Sequence, residues 1–412
     1  MLTFTRSQKT SVMHLGYRFR AFIAFLLGIA IPTSTALMNI TLGFVVVSLL
    51  WQRDLRLVFS LVKKPIIVLP LLIFILLVIS LFLTHNSDGL KMVNKYVKLL
   101  LILPLAMFFS TNANLKNRFI CGFLFANFII LIISLLFGLG EITFGGFDPH
   151  NPTVFKLQIT QNVFIAFAAL IWLAKAVDEK GPLRWAYSLL VLLACCNVLL
   201  MVQGRTGYVA LFVSFAIWLY LTFPTRQRIA ILGCAVVVIT LLTIIPNRAV
   251  QRLHQGMQEI QGCLLALPTD EKQACDNSMG QRTAFARESL RLIKQSPLLG
   301  NGSGSFYYSN LNTGYSINNP HNQYLLETVQ NGLLGLSIFL GWMLCCLHAA
   351  WRQQWKIRNL FIALIGSYLA CNLFNSFLLD ISEGYFFILM VAILAASSAT
   401  IEGEEQSVAQ SS

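Results

Sequence analysis

Charged side chains are scarce in this sequence, and that scarcity limits the classes of protein it can encode. Only 11% of the 412 residues are charged, whereas a soluble globular protein carries about 25%. Hydrophobic residues make up 56% of the chain, which excludes an ordinary water-soluble enzyme, a disordered chain and a collagen-like repeat. The composition predicts an all-α polytopic membrane protein.

Acidic residues are the scarcer of the two charge types, with 17 Asp and Glu against 30 Lys and Arg. In a soluble protein the net charge of +13 would suggest a nucleic-acid partner, but in a membrane protein basic residues also set the orientation. About twelve segments are apolar and long enough to be transmembrane helices. If both chain ends lie in the cytoplasm, most basic residues of the short loops lie there too, as the positive-inside rule expects. The net positive charge is then explained by membrane orientation, and no nucleic-acid partner is predicted. The predicted spans are 19–35, 36–51, 65–84, 95–110, 119–140, 160–174, 185–202, 207–223, 229–246, 332–350, 359–379 and 384–400.

These spans define the predicted organisation of the chain. The first nine spans occupy residues 1–246, a large periplasmic loop occupies 247–331, the last three spans lie within 332–400, and an acidic cytoplasmic tail follows at 401–412. A loop of this length without secondary structure is uncommon, so we expect it to be partly helical and functional. The N-terminus leads into a hydrophobic hairpin without a small-residue cleavage site, so no cleavable signal peptide is expected.

The long loop contains one amphipathic segment. Apolar residues recur with helical spacing between Thr283 and Gln295, and charged residues, Arg287 among them, take the opposite face. The pattern predicts a helix, and a helix lying at the membrane interface is its simplest interpretation. The apolar face consists of Phe285, Ala286, Ser289, Leu292 and Ile293.

A glycine-rich stretch follows this helix, over residues 297–306, with glycines at 300, 302 and 304. Closely spaced glycines let the backbone turn tightly and can expose amide groups to an anion. No strand–helix unit surrounds the stretch, so it is not a dinucleotide-binding fingerprint. A flexible turn is the alternative interpretation.

Motifs for metals and nucleotides are absent from the sequence. No spacing of Cys and His residues suggests a metal site, and no Walker loop for ATP occurs, so neither a metal nor another cofactor is predicted. Most of the nine cysteines lie in or beside spans, as small apolar packing residues. Cys263 and Cys275 lie in the long loop, where a periplasmic location would allow a disulfide between them.

One histidine and several arginines are candidates for chemistry. His321 lies in the polar stretch Asn318–Tyr324 beside a span, where an imidazole is suited to general-base work, although a loop histidine is more often structural. Arg205 lies between two apolar spans on the outer side, against the positive-inside trend, as either a functional or an interfacial residue. Arg282 is placed at the predicted start of the loop helix, where a positive charge is unfavourable, and Arg287 is near it. Guanidinium groups recognise phosphate oxygens.

Further candidates lie in other outer segments. Asp380, at the outer end of a span, could orient His321 or a sugar hydroxyl, and capping at the membrane interface is an equal alternative. Lys91, Lys95 and Lys98 could meet phosphate or anionic lipid, and their alternative is an irregularity of the topology. The outer arginines, the histidine and the apolar helices together suit a lipid-linked substrate that bears phosphate.

These residues resemble the motif of a known family. His321-Asn322 followed by Gly332-x-x-Gly335 resembles the signature of bacterial O-antigen ligases, and the layout agrees with the wider ligase and polymerase superfamily over nearly the whole chain. The resemblance implies an inverting, metal-independent GT-C glycosyltransferase at the periplasmic face of the bacterial inner membrane. Such an enzyme transfers O-antigen from an undecaprenyl diphosphate-linked glycan donor to a sugar hydroxyl of the lipid A–core acceptor. Membrane lipid is a further expected partner.

The resemblance also implies roles for individual residues. His321 matches the family's essential histidine and would act as the general base. Arg205 and Arg282 match its two important arginines and would bind the donor's diphosphate. One departure is Gly204, because the family often has serine before the first arginine. Further substrate-binding candidates are Arg287, Asn322 and Asp380.

Three other functions stay open at this level. An O-oligosaccharyltransferase that acts on pilin or another periplasmic protein shares the histidine motif but often has a longer C-terminal region. This chain instead ends after a short acidic stretch, Glu402–Glu405. An O-antigen polymerase would use another lipid-linked glycan as acceptor. A transporter or flippase would show repeats and charges at the midplane of the membrane, which this sequence lacks.

Overall fold

Helices dominate the described part of the chain, in agreement with the composition. Its strands, β1 (Tyr308–Asn310) and β2 (Tyr315–Ile317), pair antiparallel. The span predicted over 229–246 lies outside the described residues, apart from its first residue. The computed structural model describes residues 6–50, 55–83, 87–140, 148–229, 248–266, 271–310 and 315–411.

The helices α1 to α10 precede residue 230, and α11 to α16 follow residue 247. Helices α1 to α10 are Arg6–Thr33, Thr35–Leu50, Leu55–Val62, Pro65–Ser80, Ser87–Tyr96, Ile102–Ser110, Asn114–Gly138, Gln158–Asp178, Pro182–Cys196 and Arg205–Thr222. Two 3-10 segments and a π-helical turn lie among them, at Leu81–Leu83, Val97–Leu101 and Asn197–Met201. Helices α11 to α16 are Arg248–Leu265, Glu271–Ala274, Ser278–Gln295, Gln323–Trp351, Trp355–Cys371 and Ile381–Ser411.

Several helices are long and apolar enough to cross a membrane, which indicates a multi-pass membrane protein. Within the described ranges there are 6 such helices, or 7 if Arg56–Val62 and Pro65–Ser80, bent by 73°, form one span. The twelve-span layout, the domain boundaries and the orientation in the membrane stay predictions. The 6 helices are Asp88–Ser110, Asn114–Gly138, Gln158–Asp178, Pro182–Met201, Arg205–Thr222 and Gln323–Trp351.

Small residues allow close contact between helix backbones in the core. Gly28 on α1 faces Gly122 on α7, and a Cβ atom at either position would overlap backbone atoms of the other helix. Lipid tails are as apolar as leucine side chains, so helices in a membrane associate through such packing rather than through exclusion of water. A larger residue at either glycine would therefore separate α1 from α7.

Helix α14 is broken at Gly332, close to the predicted start of the tenth span. The helix begins at Gln323, because Asn322 caps it by accepting a hydrogen bond from the Leu325 amide at 3.0 Å. Gly332 has φ +64° and ψ −164°, a conformation that other residues rarely adopt. Residues 323–331, which the sequence analysis assigned to the loop, are therefore a largely buried half-helix that precedes the span.

The glycine-rich turn packs into this break. The Leu333 amide donates to the Pro297 carbonyl at 2.8 Å, which satisfies a group that the broken helix leaves unpaired. The turn also donates to the half-helix before the break, because the Gly302 amide donates to the Gln330 carbonyl at 2.9 Å. The Gly304 amide donates to the Gln330 side chain at 3.1 Å. These amides are not exposed to an anion, so that interpretation of the turn is wrong, and the turn is a packing element.

The region between residues 247 and 331 contains helices α11 to α13 and a disulfide between Cys263 and Cys275. Helix α13 begins at Ser278 rather than at the predicted Thr283. The reason is a cap, because the Asn277 side chain accepts a backbone hydrogen bond at 2.8 Å. The buried side of the helix agrees with the predicted apolar face. Its buried residues are Gly280, Ala284, Phe285, Ser289 and Leu292.

Candidate active site

Arg205 is the first residue of α10, where the chain leaves the π-helical turn and passes close to α8. The Asn162 side chain of α8 donates to the Val202 carbonyl at 3.0 Å and to the Gly204 carbonyl at 3.3 Å, so it fixes the backbone that leads into α10. A Cβ atom at Gly204 would lie 2.7 Å from the Gln158 carbonyl oxygen. The glycine before Arg205 is therefore required by the contact between α8 and α10.

Arg205 faces a carboxylate that the sequence analysis missed, Glu259 on α11. The Arg205 Nη1 atom lies 3.6 Å from Glu259 Oε2, and the two side chains are only 19% and 10% exposed. The same oxygen accepts a hydrogen bond from the Met279 amide at 3.0 Å, at the start of α13. Among the described residues, the buried Arg205 Nη1 atom has no hydrogen-bond partner. Glu259 thus joins α11 and α13 to Arg205, while one buried guanidinium nitrogen makes no hydrogen bond to any described residue.

Arg282 lies in the second turn of α13, close to the same carboxylate. Burial lowers its pKa, the charge of Arg205 lowers it further, and Glu259 raises it in part. Its Nη1 atom contacts the Met279 sulfur at 3.6 Å. Two arginines therefore share one carboxylate, which gives this buried place a net positive charge that suits a multiply charged anion.

His321 has a strained backbone. Its φ is +52°, and it is the only residue other than glycine with a positive φ in the described part of the chain. The His321 amide donates to Asn319 Oδ1 at 3.0 Å, and the same oxygen accepts a hydrogen bond from the Ser376 hydroxyl at 2.7 Å. The buried Asn319 side chain therefore ties the strained turn to the segment that follows α15.

An aromatic ring and a positive charge lie near the His321 imidazole. The centroid of the Phe285 ring is 6.1 Å from that of the imidazole. Burial lowers the pKa of His321 to about 4, and the charge of Arg282 contributes to the shift. The imidazole is therefore neutral at neutral pH and has a ring nitrogen that can accept a proton. Since Arg282 also interacts with Arg205, the structure brings together three predicted residues, which we call the Arg–His cluster (Arg205, Arg282 and His321).

Two other predicted site residues point elsewhere. Asn322 caps α14, and its Nδ2 atom donates to the Leu373 carbonyl at 3.0 Å, so its polar groups bind protein backbone. Arg287 is exposed on a different face of α13 and reaches the Leu264 carbonyl at 3.5 Å. A substrate-binding role for these two residues stays a prediction.

Asp380 lies beside a buried lysine at the start of α16. The Lys98 ammonium group is buried and donates to the backbone oxygens of Leu379 at 3.0 Å and Asp380 at 2.5 Å. No hydrogen bond or ion pair between residues that the structure describes joins Asp380 to His321. The proposed orienting role of Asp380 therefore also stays a prediction.

A buried polar network lies beneath the His321 turn, and the sequence analysis missed it as well. Glu327 is fully buried and accepts hydrogen bonds from the Tyr96 hydroxyl at 2.9 Å and the Gln323 amide at 2.8 Å. Gln323 also donates to the Tyr96 oxygen at 2.7 Å and accepts from the Leu378 amide at 3.1 Å. The network fixes the start of α14 and hence the approach to His321.

The Arg–His cluster combines two kinds of chemistry in one place. Guanidinium groups stabilise developing negative charge, and a neutral imidazole accepts a proton. Attack by a hydroxyl on a carbon that carries a phosphate leaving group would use both. Within the described ranges, no three His, Cys, Asp or Glu side chains are close enough together to hold a metal ion.

The Arg–His cluster lies in a part of the chain that matches the model of a known protein family. A family model described as O-antigen ligase matches residues 188–340. This range contains α10, the loop helices, Glu259 and every member of the Arg–His cluster. No curated protein matches the chain. Residues 188–340 of this chain are therefore similar to the O-antigen ligase family.

Proposed function

We propose that this protein is an O-antigen ligase, which transfers O-antigen polysaccharide from undecaprenyl diphosphate to a sugar hydroxyl of lipid A–core in lipopolysaccharide biosynthesis. The observation that carries the proposal is the Arg–His cluster, in which buried guanidinium groups lie near a neutral imidazole. The family match over residues 188–340 supports the same class of reaction. Such a transfer breaks a sugar–phosphate bond and forms a sugar–oxygen bond, so it needs both a stabilised leaving group and a base.

Arg205 and Arg282 bind the donor's diphosphate in this proposal. Negative charge accumulates on the diphosphate as the bond to the sugar breaks, and two buried guanidinium groups stabilise it more strongly than water would. They supply the charge stabilisation that a metal ion provides in other glycosyltransferases. The Arg205 Nη1 atom supports this role, because it is buried and makes no hydrogen bond within the described ranges, and a phosphate oxygen would accept one from it.

Glu259 occupies the position of the diphosphate when no donor is bound. Its carboxylate lies 3.6 Å from Arg205, longer than a hydrogen bond, although both side chains are largely buried. A diphosphate carries more negative charge and can bind guanidinium groups in bidentate fashion. The donor therefore displaces Glu259 from Arg205.

His321 accepts the proton of the acceptor hydroxyl as the hydroxyl oxygen attacks the anomeric carbon. The electron pair of the breaking bond leaves with the diphosphate, and attack from the opposite side inverts the anomeric configuration. A pKa of about 4 makes His321 a weak base before the donor binds. The bound diphosphate offsets the charge of Arg282 and raises this pKa, so donor binding strengthens the base.

The reaction takes place at the periplasmic face of the bacterial inner membrane in this proposal. The disulfide between Cys263 and Cys275 lies in the same region as Glu259 and Arg282, and disulfides persist in the oxidising periplasm. The apolar helices accommodate the undecaprenyl chain while its head group reaches the Arg–His cluster.

Substitution of His321 by alanine tests the proposal. We expect transfer by the reconstituted protein to fall by about 10²- to 10⁴-fold, because the variant lacks the base. His254→Ala is the matched control, since it removes an exposed histidine from α11 in the same region. Undiminished transfer by a correctly inserted H321A protein would refute the catalytic role.

The choice of acceptor is tested separately. The reconstituted protein is given the lipid-linked donor together with lipid A–core, an acceptor protein such as pilin, or a second lipid-linked glycan. Transfer to lipid A–core alone supports the ligase. Transfer to the protein identifies an O-oligosaccharyltransferase, and extension of the glycan identifies an O-antigen polymerase.

A further inference from the structure

The segment between α15 and α16, residues 372–380, runs through the interior of the protein although it is neither helix nor strand. We call it the buried connector. Its polar side chains Asn372, Asn375 and Ser376 are 2% exposed or less. Buried polar groups destabilise a protein unless they are paired, so the hydrogen bonds of these side chains are a strong constraint on the structure around them.

Asn375 holds the start of α10. Its Nδ2 atom donates to the Thr206 hydroxyl oxygen at 2.6 Å, and both side chains are buried. Thr206 follows Arg205 directly, in the first turn of the helix. The Cys371 thiol, at the end of α15, also lies 3.7 Å from the Thr206 carbonyl oxygen. The buried connector therefore fixes the backbone next to Arg205.

Ser376 holds the turn that contains His321. The Ser376 hydroxyl donates to Asn319 Oδ1 at 2.7 Å, and the same oxygen accepts a hydrogen bond from the His321 amide at 3.0 Å. A φ of +52° is unfavourable for a histidine, so the turn keeps this shape only while its surroundings restrain it. Ser376 therefore restrains, through Asn319, the backbone from which the imidazole projects.

The buried connector is itself anchored along its length. The Gln323 amide donates to the Asn372 carbonyl at 2.9 Å, and Gln323 Oε1 accepts from the Leu378 amide at 3.1 Å. At its end, the buried Lys98 ammonium group donates to two backbone oxygens of the connector. A segment bonded at so many points acts as a rigid support for the groups attached to it.

We propose that Asn375 and Ser376 are positioning residues for glycan transfer. Asn375 sets the place of Arg205, and Ser376 sets the place of His321. Because the two residues are consecutive, their Cα atoms are about 3.8 Å apart, so the diphosphate site and the base are held by one rigid segment. The proposal rests on the proposed function for the reaction, whereas the effects on each side chain are measurable without it.

Replacing Ser376 by alanine tests the histidine side. Loss of the bond to Asn319 should loosen the turn and expose the imidazole to water. The pKa of His321, measured by NMR on the full-length protein with labelled histidine, should then rise from about 4 towards 6.5, and H321A identifies its signal. The kcat of transfer should fall by about 10- to 100-fold, because the reacting groups lose their alignment, while the affinity for inorganic pyrophosphate stays the same. S376C keeps a weaker donor in the same place, so it should give an intermediate pKa and serves as the second variant if S376A does not fold.

Replacing Asn375 by alanine tests the arginine side and should give the reverse pattern. Inorganic pyrophosphate should bind about 5- to 10-fold more weakly, as expected for the loss of one buried hydrogen bond. The pKa of His321 should stay near 4 in this variant. Thr206→Val removes the same bond from the other partner and should have the same effect.

Ser367→Ala is the matched control. The Ser367 hydroxyl is buried and donates to the Ala210 carbonyl at 3.0 Å, so it also joins α15 to α10 but lies outside the buried connector. S367A should change neither the His321 pKa nor the pyrophosphate affinity. An unchanged His321 pKa in the Ser376 variants, an unchanged pyrophosphate affinity in N375A, or the same changes in both sets of variants would overturn the proposal. Neither measurement requires transfer, so failure of the proposed function would appear separately, as a lack of transfer by the wild-type protein.

Discussion

Replacing Glu259 by glutamine tests how the Arg–His cluster binds diphosphate. Glutamine keeps the shape of the side chain and an oxygen that can accept the Met279 amide, but it removes the negative charge that faces Arg205. A diphosphate competes with that charge for Arg205 and Arg282. The E259Q variant should therefore bind diphosphate more tightly than the wild-type protein does.

The size of this effect follows from the geometry of the ion pair. At 3.6 Å, the attraction between two unit charges is about 4–5 kcal/mol if the effective dielectric constant is about 20. The displaced Glu259 carboxylate regains hydration, so the net contribution of such a largely buried pair is about 1–2 kcal/mol. Because 1.4 kcal/mol corresponds to a factor of about ten, diphosphate should bind about 5- to 30-fold more tightly to E259Q.

Calorimetric titration of the solubilised full-length protein with inorganic pyrophosphate, at fixed ionic strength, measures this affinity. Glu288→Gln is the control, since it removes the same charge from an exposed pair with Arg291 on α13 and should change the affinity less than about two-fold. Unchanged or weaker binding by a folded E259Q protein would show that Glu259 instead holds the arginines in place. No glycan transfer enters the assay, so this outcome is independent of the acceptor and of His321.

Three other predictions concern pH, backbone conformation and compartment. Because the pKa of His321 falls from 6.5 to about 4 on folding, the unfolded chain binds more protons between these values. The free energy of unfolding should thus decrease by up to about 3 kcal/mol as the pH drops from 6.5 to 4, and H321A should remove this part of the slope. Gly332→Ala should lower the free energy of unfolding by about 2 kcal/mol or more, because a Cβ atom there meets backbone at positive φ. Gly341→Ala is the control and should cost little in a denaturant titration, because a Cβ atom there would only reach ordinary contact with the Leu69 side chain at 4.0 Å. Cys263 and Cys275 should resist maleimide labelling in intact cells until a reductant is added; labelling without reductant would contradict an oxidising location.

Local sequence pattern nominated the members of the Arg–His cluster one by one. Arg205 lies between two apolar spans, His321 lies in a polar stretch beside a span, and Arg282 places a positive charge at a predicted helix start. Glu259 was missed because acidic residues are common on amphipathic helices, and only the tertiary structure shows that Arg205 lies beside this one. Its isolation as the one acidic residue of α11 was the available signal.

Proximity in sequence was a poor guide to which neighbours share the site. Arg287 follows Arg282 on the same helix but lies on another face, because residues five apart on an α-helix differ by about 140°. Asn322 follows His321 directly, yet its side chain caps α14. Helical geometry and capping, rather than distance along the chain, separate these residues from the Arg–His cluster.

The sequence by itself determined the membrane class, the helical character, the apolar face of α13 and the residues most suited to chemistry, because these depend on composition and local periodicity. Only the tertiary structure decided that α14 breaks at Gly332, that the glycine-rich turn uses its amides to fill that break, and that Glu259 meets Arg205. These features depend on hydrogen bonds and ion pairs between segments far apart in the chain. Such pairings form when helices pack in three dimensions, and no local pattern records them.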